Sequence, residues 1–407
     1  MPHQCFTLNR ILTFGQIRGM FSVNPLFQLV RLSESEKRER GLLYTPREIA
    51  QQPATWQITH RIFEKARGEL KSFLARPKAE LWTVYLVGAG SSDYIGRGLE
   101  NLLRKCWRCE VSTVASTDLL TNLEDFVIPG RDYVWISFSR SGDSPEGVSV
   151  LEQALAVYPR VRHLVVSCNE SGRMVELARN SDKAVAMVLH DLVNDRSLAM
   201  TSAFTNMMIF GQALAHLWEG DEFSQTLALM TQAANYLLEE GASLAYELSQ
   251  QGFRRACFVG AGGLAATAHE SALKLLELTG GGILTTYETT LGLRHGPMSA
   301  LNADTLFTAF ISTGATRRRY DGDLLHEIRS KQVVHTVVGV GAIDAASDYT
   351  LHCDAFDKVA DDYRPAIDII FSQMLGLFSS IELGLQPDSP SPSGLINRVV
   401  EKFTIYV

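Results

Sequence analysis

Short hydrophobic runs that end in glycine occur twice along this chain. Residues 84–90 read VYLVGAG and residues 256–262 read ACFVGAG, so Gly88 and Gly260 are separated by 260 − 88 = 172 positions. Each run precedes a stretch of helical length, at 94–106 and 264–278, and then a second apolar run, at 111–115 and 283–287. This order is typical of a strand, turn, helix and parallel strand. The sequence therefore predicts two related α/β units, each with a parallel sheet flanked by helices.

Further apolar runs extend both units. Strands are predicted at 133–138, 163–167 and 184–188 in the first unit, and at 305–312 and 333–340 in the second. Helical periodicity predicts helices at 198–217, 223–249 and 366–384. We expect an N-terminal extension (1–40), a helical preface (41–78), a first α/β domain (79–245), a second (246–385) and a tail (386–407). The tail follows a proline- and serine-rich linker, and we expect it to fold back over the site.

Composition narrows the class of partner. The 407 residues are 46% hydrophobic and carry a net charge of −7, which indicates a globular chain and argues against nucleic acid as the partner. No apolar run reaches the roughly 18 to 20 residues of a membrane span, and no signal peptide is evident. The six cysteines do not form a disulfide framework, which favours the cytoplasm. We therefore expect a cytoplasmic protein with a small-molecule partner.

A hydroxyl-rich turn follows the predicted strand 133–138. Residues 139–144 read SRSGDS, and Pro145 is suited to the first position of a helix. Backbone N–H groups, hydroxyls, a guanidinium and a helix N-terminus together favour a phosphate site, although an ordinary capping turn is the alternative. Two serines at the neighbouring strand end would add donors. The candidate phosphate ligands are Ser91, Ser92, Ser139, Arg140, Ser141 and Ser144.

The second glycine turn offers a different interpretation. Residues 260–265 read GAGGLA, which satisfies the G-x-G-x-x-A pattern of dinucleotide-binding domains, and Glu288 follows at a strand end. The first copy carries Asp93 where the third glycine is required, and a single fingerprint is a weak signal. We therefore expect no cofactor. No HExxH motif or paired C-x-x-C is present, so no metal site is predicted either.

The helix predicted at 264–278 carries charges on one face. Glu270, Lys274 and Glu277 are spaced i, i+4 and i+7, while apolar residues occupy most of the remaining surface. A carboxylate beside a cation on a largely buried helix has a tuned pKa and is suited to general-base catalysis. His295 adds an imidazole in the turn RHGP, where a structural role is the alternative.

The combination of these motifs resembles one family, the tandem sugar isomerase (SIS) domain proteins. The glycine turn, SRSGDS, the E-x-x-x-K-x-x-E helix and RHGP are similar to the isomerase half of glucosamine-6-phosphate synthase. The segments REIAQQP (47–53), SLAMTS (197–202), LELT (276–279) and NRVV (397–400) resemble the AgaS branch. That branch comprises galactosamine-6-phosphate deaminase/isomerases, also described as tagatose-6-phosphate ketose/aldose isomerases. The resemblance covers about residues 40–406 and implies two flavodoxin-like or Rossmann-like SIS domains.

The resemblance also implies roles for individual residues. Glu277 would move a proton between C2 and C1, and His295 would assist opening of the sugar ring. Glu270 and Lys274 would flank the base, and Lys402 would be the catalytic lysine of the tail. The serine-rich turns would bind phosphate, with Arg140 in place of the synthase's glutamine. The remaining substrate contacts would be made by Gly90, Thr201 and Ser202.

The implied reaction is hydrolytic deamination of galactosamine 6-phosphate to tagatose 6-phosphate and ammonia, because no glutaminase domain is present to supply ammonia. A homodimer or higher homo-oligomer is implied, with the histidine donated across the interface. Three alternatives stay open at this point: an isomerase of a neutral hexose 6-phosphate, a glucosamine-6-phosphate deaminase, and a non-catalytic phosphosugar sensor.

Overall fold

The structure is a computed structural model, and the part of the chain that it describes begins with helices. Residues 24–74, 82–220, 222–391, 393, 398 and 403–406 are described. Most of the predicted N-terminal extension, and Lys402 in the tail, lie outside the described residues. Four helices precede the first sheet: α1 (Pro25–Arg31) and α2 (Glu34–Arg40) lie in the predicted extension, and α3 (Thr45–Ala50) and α4 (Gln52–Leu74) form the predicted preface.

Helix α4 attaches the preface to the core. Its buried face carries Trp56, Phe63 and Leu70, each fully shielded from solvent. The indole of Trp56 donates a hydrogen bond to Thr205 Oγ1 at 3.0 Å, 149 positions further along the chain. Burial of one such large side chain contributes roughly 1.5–3 kcal/mol. The preface is therefore packed into the body of the protein by an apolar face.

The first sheet has five parallel strands in the order β2-β1-β3-β4-β5. The fold class predicted from the sequence is confirmed, and the order is that of flavodoxin-like sheets. The strands are β1 (Trp82–Gly88), β2 (Glu110–Ala115), β3 (Asp132–Ser139), β4 (Val161–Ser167) and β5 (Ala184–Val188). The helices are α5 (Ser91–Trp107), α6 (Ser116–Phe126), α7 (Pro145–Val157) and α8 (Arg173–Arg179).

Three helices connect the two sheets: α9 (Ser202–Ala215), α10 (Glu222–Tyr236) and α11 (Ala242–Ser249). One prediction from periodicity was wrong here. The helix predicted from residue 198 begins at Ser202, because the Asp195 carboxylate accepts the N–H groups of residues 201–203 and ends the preceding loop there. The helix predicted over 223–249 is confirmed in its extent, with a π-helical turn, Leu237–Gly241, inside it.

The second sheet repeats the first. Its order, β10-β9-β8-β6-β7, is the same when read from the other edge, and all pairs are parallel. The strands are β6 (Arg255–Gly260), β7 (Leu284–Thr289), β8 (Thr305–Ile311), β9 (Thr336–Gly341) and β10 (Tyr349–Leu351). The helices are α12 (Leu264–Leu278), α13 (Ala315–Lys331), α14 (Asp354–Asp357) and α15 (Pro365–Glu382).

One hydrophobic core spans both sheets. It joins side chains such as Leu86 of β1, Phe258 of β6 and Phe371 of α15 in one cluster. Helix α12 packs on α15 and also on α5, the helix that follows the glycine turn of the first sheet. The charged face predicted on 264–278 is therefore placed next to the first glycine turn. None of the described helices is long and apolar enough to cross a membrane.

Candidate functional site

A cavity lies at the carboxyl ends of β1 and β3, where ligands bind in open parallel sheets. Its volume is about 230 Å³. Gly90 (φ 56°) and Gly142 (φ 67°) hold the left-handed backbone that its two turns require. The lining includes Gly90 and the predicted ligands Ser92, Ser139, Arg140, Ser141 and Ser144. The structure thus brings together most of the residues predicted to bind phosphate.

Hydrogen bonds fix the serine-rich turn in place. The N–H of Gly142 donates to Ser139 Oγ at 3.1 Å, and the amide of Asn169 donates to the Ser141 carbonyl at 2.8 Å. Ser144 stands at the N-cap of α7, but its side chain makes no capping hydrogen bond with that helix. The turn is therefore held by neighbouring segments before any ligand binds, which reduces the ordering cost of binding.

Arg140 has a different position from the one expected of a phosphate-binding cation. Its guanidinium donates to the carbonyls of Ser197 (3.4 Å), Leu198 (3.1 Å) and Arg398 (2.6 Å). The side chain lines the cavity, and its hydrogen bonds join the 197–198 loop to the tail. The sequence places a guanidinium in the turn, but it does not predict which carbonyl groups accept its hydrogen bonds.

Arg398 is a residue of the cavity that the sequence reasoning missed. It lines the cavity, and its Nη2 donates to Asn194 Oδ1 at 2.5 Å. Burial, and then the positive charges of Arg140 and Arg196, lower the pKa of Arg398. The segment NRVV pointed to the tail, but it did not single out the arginine. This guanidinium is a candidate partner for an anion.

A buried charge cluster lies on α12. Lys274 and Glu270 are completely buried, with Lys274 Nζ 3.3 Å from Glu270 Oε1. Lys274 also forms a short ion pair with Glu277, whose side chain is 28% exposed. Glu277 is thus the member of this cluster that a substrate can reach. The predicted face of Glu270, Lys274 and Glu277 is present, and it is turned into the protein rather than into solvent.

Burial tunes the two inner charges. It raises the pKa of Glu270 to about 7, and the nearby Lys274 charge only partly offsets this effect. Burial lowers the pKa of Lys274, but the charges of Glu270 and Glu277 outweigh it and raise the pKa above its usual value. The ammonium therefore stays charged near neutral pH and holds the Glu277 carboxylate beside it.

Ser91 connects the charge cluster to the cavity. Lys274 Nζ donates to Ser91 Oγ at 3.0 Å, so Ser91 serves the cluster rather than the phosphate site for which it was predicted. The next residue, Ser92, lines the cavity. Both belong to the first turn of α5, so the serine-rich turn and the Glu277 carboxylate approach the same helix N-terminus.

The remaining predicted residues have other positions. His295 follows the short 3₁₀ turn Gly292–Arg294 and is exposed. Thr201 and Ser202 were predicted to bind substrate, but both are buried and use their hydroxyls within the protein: Thr201 contacts Asp195, and Ser202 donates to the Glu48 carbonyl at 2.6 Å. Their neighbour Met200 lines the cavity instead. The part of the chain that is described contains no cluster of three metal-ligating side chains.

A buried acid under the 197–198 loop was also missed. Glu48 accepts hydrogen bonds from the N–H of Arg196 and from Ser197 Oγ, both at 2.5 Å. Burial raises the pKa of Glu48 to about 8, and repulsion from Asp195 adds to this effect. The start of α3, three residues earlier, is bonded by Asp388, which accepts from the N–H and the hydroxyl of Thr45. Glu48 thus supports the loop that contacts the cavity.

Replacing Glu48 with glutamine should flatten the dependence of stability on pH. A folded-state pKa of about 8, against 4.5 for the ordinary group, gives a contribution that is complete below pH 4.5 and lost as the pH rises through about 8. One unit of pKa corresponds to about 1.4 kcal/mol, so the wild type should lose more than this between about pH 5 and 9. Glutamine stays neutral, and urea unfolding across this range should show a smaller loss.

A matched control is Asp191→Asn, which removes an exposed carboxylate from the same loop, where it pairs with Arg196 at 3.0 Å. This variant should keep the wild-type slope. An Asp191→Asn slope as flat as that of Glu48→Gln, or identical slopes for wild type and Glu48→Gln, would contradict the assignment of the titration to Glu48.

Two parallel sheets with the same strand order, sharing one core and one glycine-turn design, define the tandem SIS class of α/β protein. No protein-family model matches the sequence. A relative from Streptomyces coelicolor, provisionally named D-galactosamine-6-phosphate deaminase AgaS, is 36% identical over 373 residues, covering 89% of this chain and 95% of the relative. D-galactosamine-6-phosphate deaminase AgaS of Escherichia coli is 34% identical over 369 residues, with the same coverage of 89% and 95%.

A solved structure agrees with these relatives. Tagatose-6-phosphate ketose/aldose isomerase from Escherichia coli superimposes with a TM-score of 0.80 at 32% identity, covering 85% of this chain and 95% of that chain. The chain belongs to the AgaS family.

Proposed function

We propose that the protein is a phosphosugar deaminase/isomerase that converts galactosamine 6-phosphate and water into tagatose 6-phosphate and ammonia. The observation that supports this most directly is the hydrogen bond from Lys274 to Ser91, which joins the charge cluster to the N-terminus of α5 beside the cavity. One six-carbon molecule can then place its phosphate in the cavity and its C1 and C2 near Glu277. The names of the relatives support the choice of an amino sugar.

The serine-rich turn binds the phosphate of the substrate. Ser92, Ser139, Ser141 and Ser144 line the cavity with hydroxyls, and Arg398 adds a positive charge. Backbone N–H groups at the start of α7 favour an anion there. This binding energy, far from the reacting carbons, orients C1 and C2 of the opened sugar.

Glu277 carries out the proton transfers. After the ring opens, its carboxylate removes the proton from C2, and O1 gains a proton from solvent, so that a C1–C2 enolamine forms. Glu277 then returns its proton to C1, and the nitrogen releases one N–H proton to solvent, which leaves a C2 imine. Water adds to the imine carbon, and the C–N bond breaks to release ammonia and leave the C2 ketone. One carboxylate serves both carbons because they are adjacent.

Lys274 and Glu270 position the base. The ammonium of Lys274 forms an ion pair with Glu277 and donates to Ser91, while Glu270 lies on its other side. Because Lys274 is fully buried, its orientation is fixed by packing as well as by charge. Glu277 is thereby held on the side of α12 that remains accessible.

The substrate assignment is tested by incubating the enzyme with galactosamine 6-phosphate and, separately, with glucosamine 6-phosphate. Ammonia and ketose phosphate are measured in both reactions. We expect equal amounts of both products and a higher kcat/KM for the galacto compound. Turnover of the gluco compound alone would replace the proposed substrate, and the absence of ammonia with either would reject the deaminase function.

A second candidate function is isomerisation of a neutral hexose 6-phosphate. It is favoured by the structural relative, whose name is that of a tagatose-6-phosphate ketose/aldose isomerase. The same base and phosphate site would serve both reactions, because each moves a proton between C1 and C2. Interconversion of tagatose 6-phosphate and its aldose in the absence of amine, at a rate comparable to deamination, would favour this candidate.

The active form that we propose is a homodimer in the cytoplasm. Exposed apolar side chains lie on α12 beside Glu277, on β7 and in the turn before His295: Leu276, Leu284, Tyr287 and Leu291. Exposed apolar side chains of this size favour an interaction surface, and a second copy of the chain would cover them. His295 would then reach the partner's site and move the O5 proton during ring opening. The free cysteines of the described part favour a reducing compartment.

Mixing two inactive variants tests the shared site. Glu277→Gln and His295→Gln should each be inactive alone, but a hybrid dimer contains one site with both native residues. Random reassociation makes about half of the dimers hybrid, each with one active site, so about a quarter of the wild-type activity should return. Activity that stays at the level of the single variants would place His295 and Glu277 of one chain in the same site.

A further inference from the structure

The serine-rich turn has a counterpart in the second sheet at the same offset as the glycine turns. Residues 141–144 read SGDS and residues 313–316 read TGAT. Ser141, Gly142 and Ser144 therefore correspond to Thr313, Gly314 and Thr316, each 172 positions later (313 − 141). A hydroxyl, a glycine and a second hydroxyl are kept in the same order. The second lobe thus retains the side chains of a phosphate-binding turn.

Strand pairing supports this correspondence independently. In the first sheet Val87 of β1 lies opposite Ser137 of β3, and in the second sheet Val259 of β6 lies opposite Ala309 of β8. Both residues of the second pair stand 172 positions after those of the first. The turn after β8 therefore occupies the same place relative to its sheet as the serine-rich turn does after β3.

The second turn is already occupied by a carboxylate of the chain. Asp361 accepts hydrogen bonds from Ser312 Oγ at 2.5 Å, from the N–H of Thr313 at 3.1 Å and from Arg317 Nη1 at 3.0 Å. The Thr313 hydroxyl also donates to it, at 3.3 Å. Its side chain is only 2% exposed. Backbone N–H, hydroxyl and guanidinium donors are the groups that bind a phosphate oxygen.

The two glycine turns also differ in how much free space lies beside them. A Cβ placed on Gly90 would meet no atom within 4 Å, whereas on Gly262 it would lie 3.5 Å from Arg317 Cζ. The first turn therefore faces open space beside its cavity, while Arg317 covers the second. Arg317 and Asp361 form an ion pair in the wall of a cavity of about 510 Å³ that lies against the second turn.

We infer that Asp361 is a built-in substitute for phosphate in the second lobe. The duplicated domains each carry an anion-binding turn, but the donors of the second turn are used by Asp361. The second turn binds the chain's own carboxylate and thereby holds the segment before α15 against the sheet. It follows that the described part of the chain has one functional phosphate site, and that a second, latent oxyanion site becomes available when this carboxylate is removed.

Asp361→Ala tests the inference, with inorganic phosphate as the probe. Titration calorimetry near neutral pH should give one phosphate per chain for the wild type and two for the variant. Asp362→Asn is the matched control, because Asp362 belongs to the same surface and pairs with Lys105 at 3.4 Å without contacting the turn. This control should bind one phosphate. Phosphate should also raise the Tm of Asp361→Ala more than that of the wild type.

The buried guanidinium of Arg364 lies 3.8 Å from Asp361 and also pairs with Asp368, so its charge is not left unpaired in the variant. Should Asp361→Ala still unfold in chloride buffer, refolding in phosphate compared with chloride becomes the measurement, and recovery in phosphate alone supports the inference. One phosphate per folded variant chain, two per wild-type chain, or equal failure to refold in both buffers would overturn it.

Discussion

The variant Glu277→Gln should lose about 10²- to 10⁴-fold in kcat for ammonia release, the range typical of removing a general base. The amide has nearly the shape of the carboxylate, so it can stay beside Lys274, but it cannot accept the C2 proton. Binding of the sugar phosphate should change little, because the phosphate is held by the serine-rich turn. Steady-state kinetics and calorimetric binding of substrate to the inactive variant measure the two effects separately.

A matched control is Glu382→Gln, which makes the same chemical change at an exposed position on α15. It should keep wild-type kcat and KM. Ammonia release by Glu277→Gln at a near wild-type rate would show that another group removes the C2 proton. A large loss of binding with unchanged kcat would instead make Glu277 a residue that only holds the substrate.

The fold could be predicted from the sequence because both sheets are parallel and their central strands are buried on both faces. Such strands read as continuous apolar runs, and the glycine turns mark their carboxyl ends. The strand at 184–188 was predicted with the observed limits. The start of α9 could not be predicted, because it is set by Asp195, whose carboxylate accepts three N–H groups from the next turn of chain. The helix propensities of residues 198–202 give no information about that contact.

The serine-rich turn could be predicted for a similar reason, since its residues are adjacent in the chain and follow a strand. The supports of the site are different, because they join distant segments. Glu48 meets Ser197 across 149 positions, and Arg398 meets Asn194 across 204. Neither pair has a signature in a single sequence. Their side chains became visible as site residues only once the tertiary contacts were known.

Arg140 and Ser91 show a further limit of reading side-chain chemistry from a motif. A guanidinium and a hydroxyl beside a glycine turn are both suited to phosphate, yet Arg140 donates to three carbonyls and Ser91 accepts from Lys274. The sequence gives the donors of a site but not their competing partners. In this protein Arg140 also orients the tail and Ser91 also contacts the cation beside the base, so their roles as phosphate ligands stay predictions.

Lys274→Met is the second large effect that we expect, and it acts on stability as well as on rate. Removal of one partner from a buried ion pair costs about 3–5 kcal/mol, because the other charge is left without compensation. Glu270, also completely buried, would remain in that position next to Glu277. Urea unfolding at about pH 9, where Glu270 is driven towards its charged form, should show this loss. The kcat should fall too, since Glu277 loses the cation that orients it.

The double variant Glu270→Gln/Lys274→Met separates the charge effect from the loss of packing. It removes the stranded carboxylate, so it should recover most of the lost stability but none of the activity. The stability lost by Lys274→Met should also depend on pH. Burial already raises the pKa of Glu270 to about 7, and it rises further without Lys274. The loss of stability should therefore shrink as the pH falls and Glu270 takes up a proton. A double variant no more stable than Lys274→Met, together with a loss independent of pH, would show that the ammonium acts through packing alone.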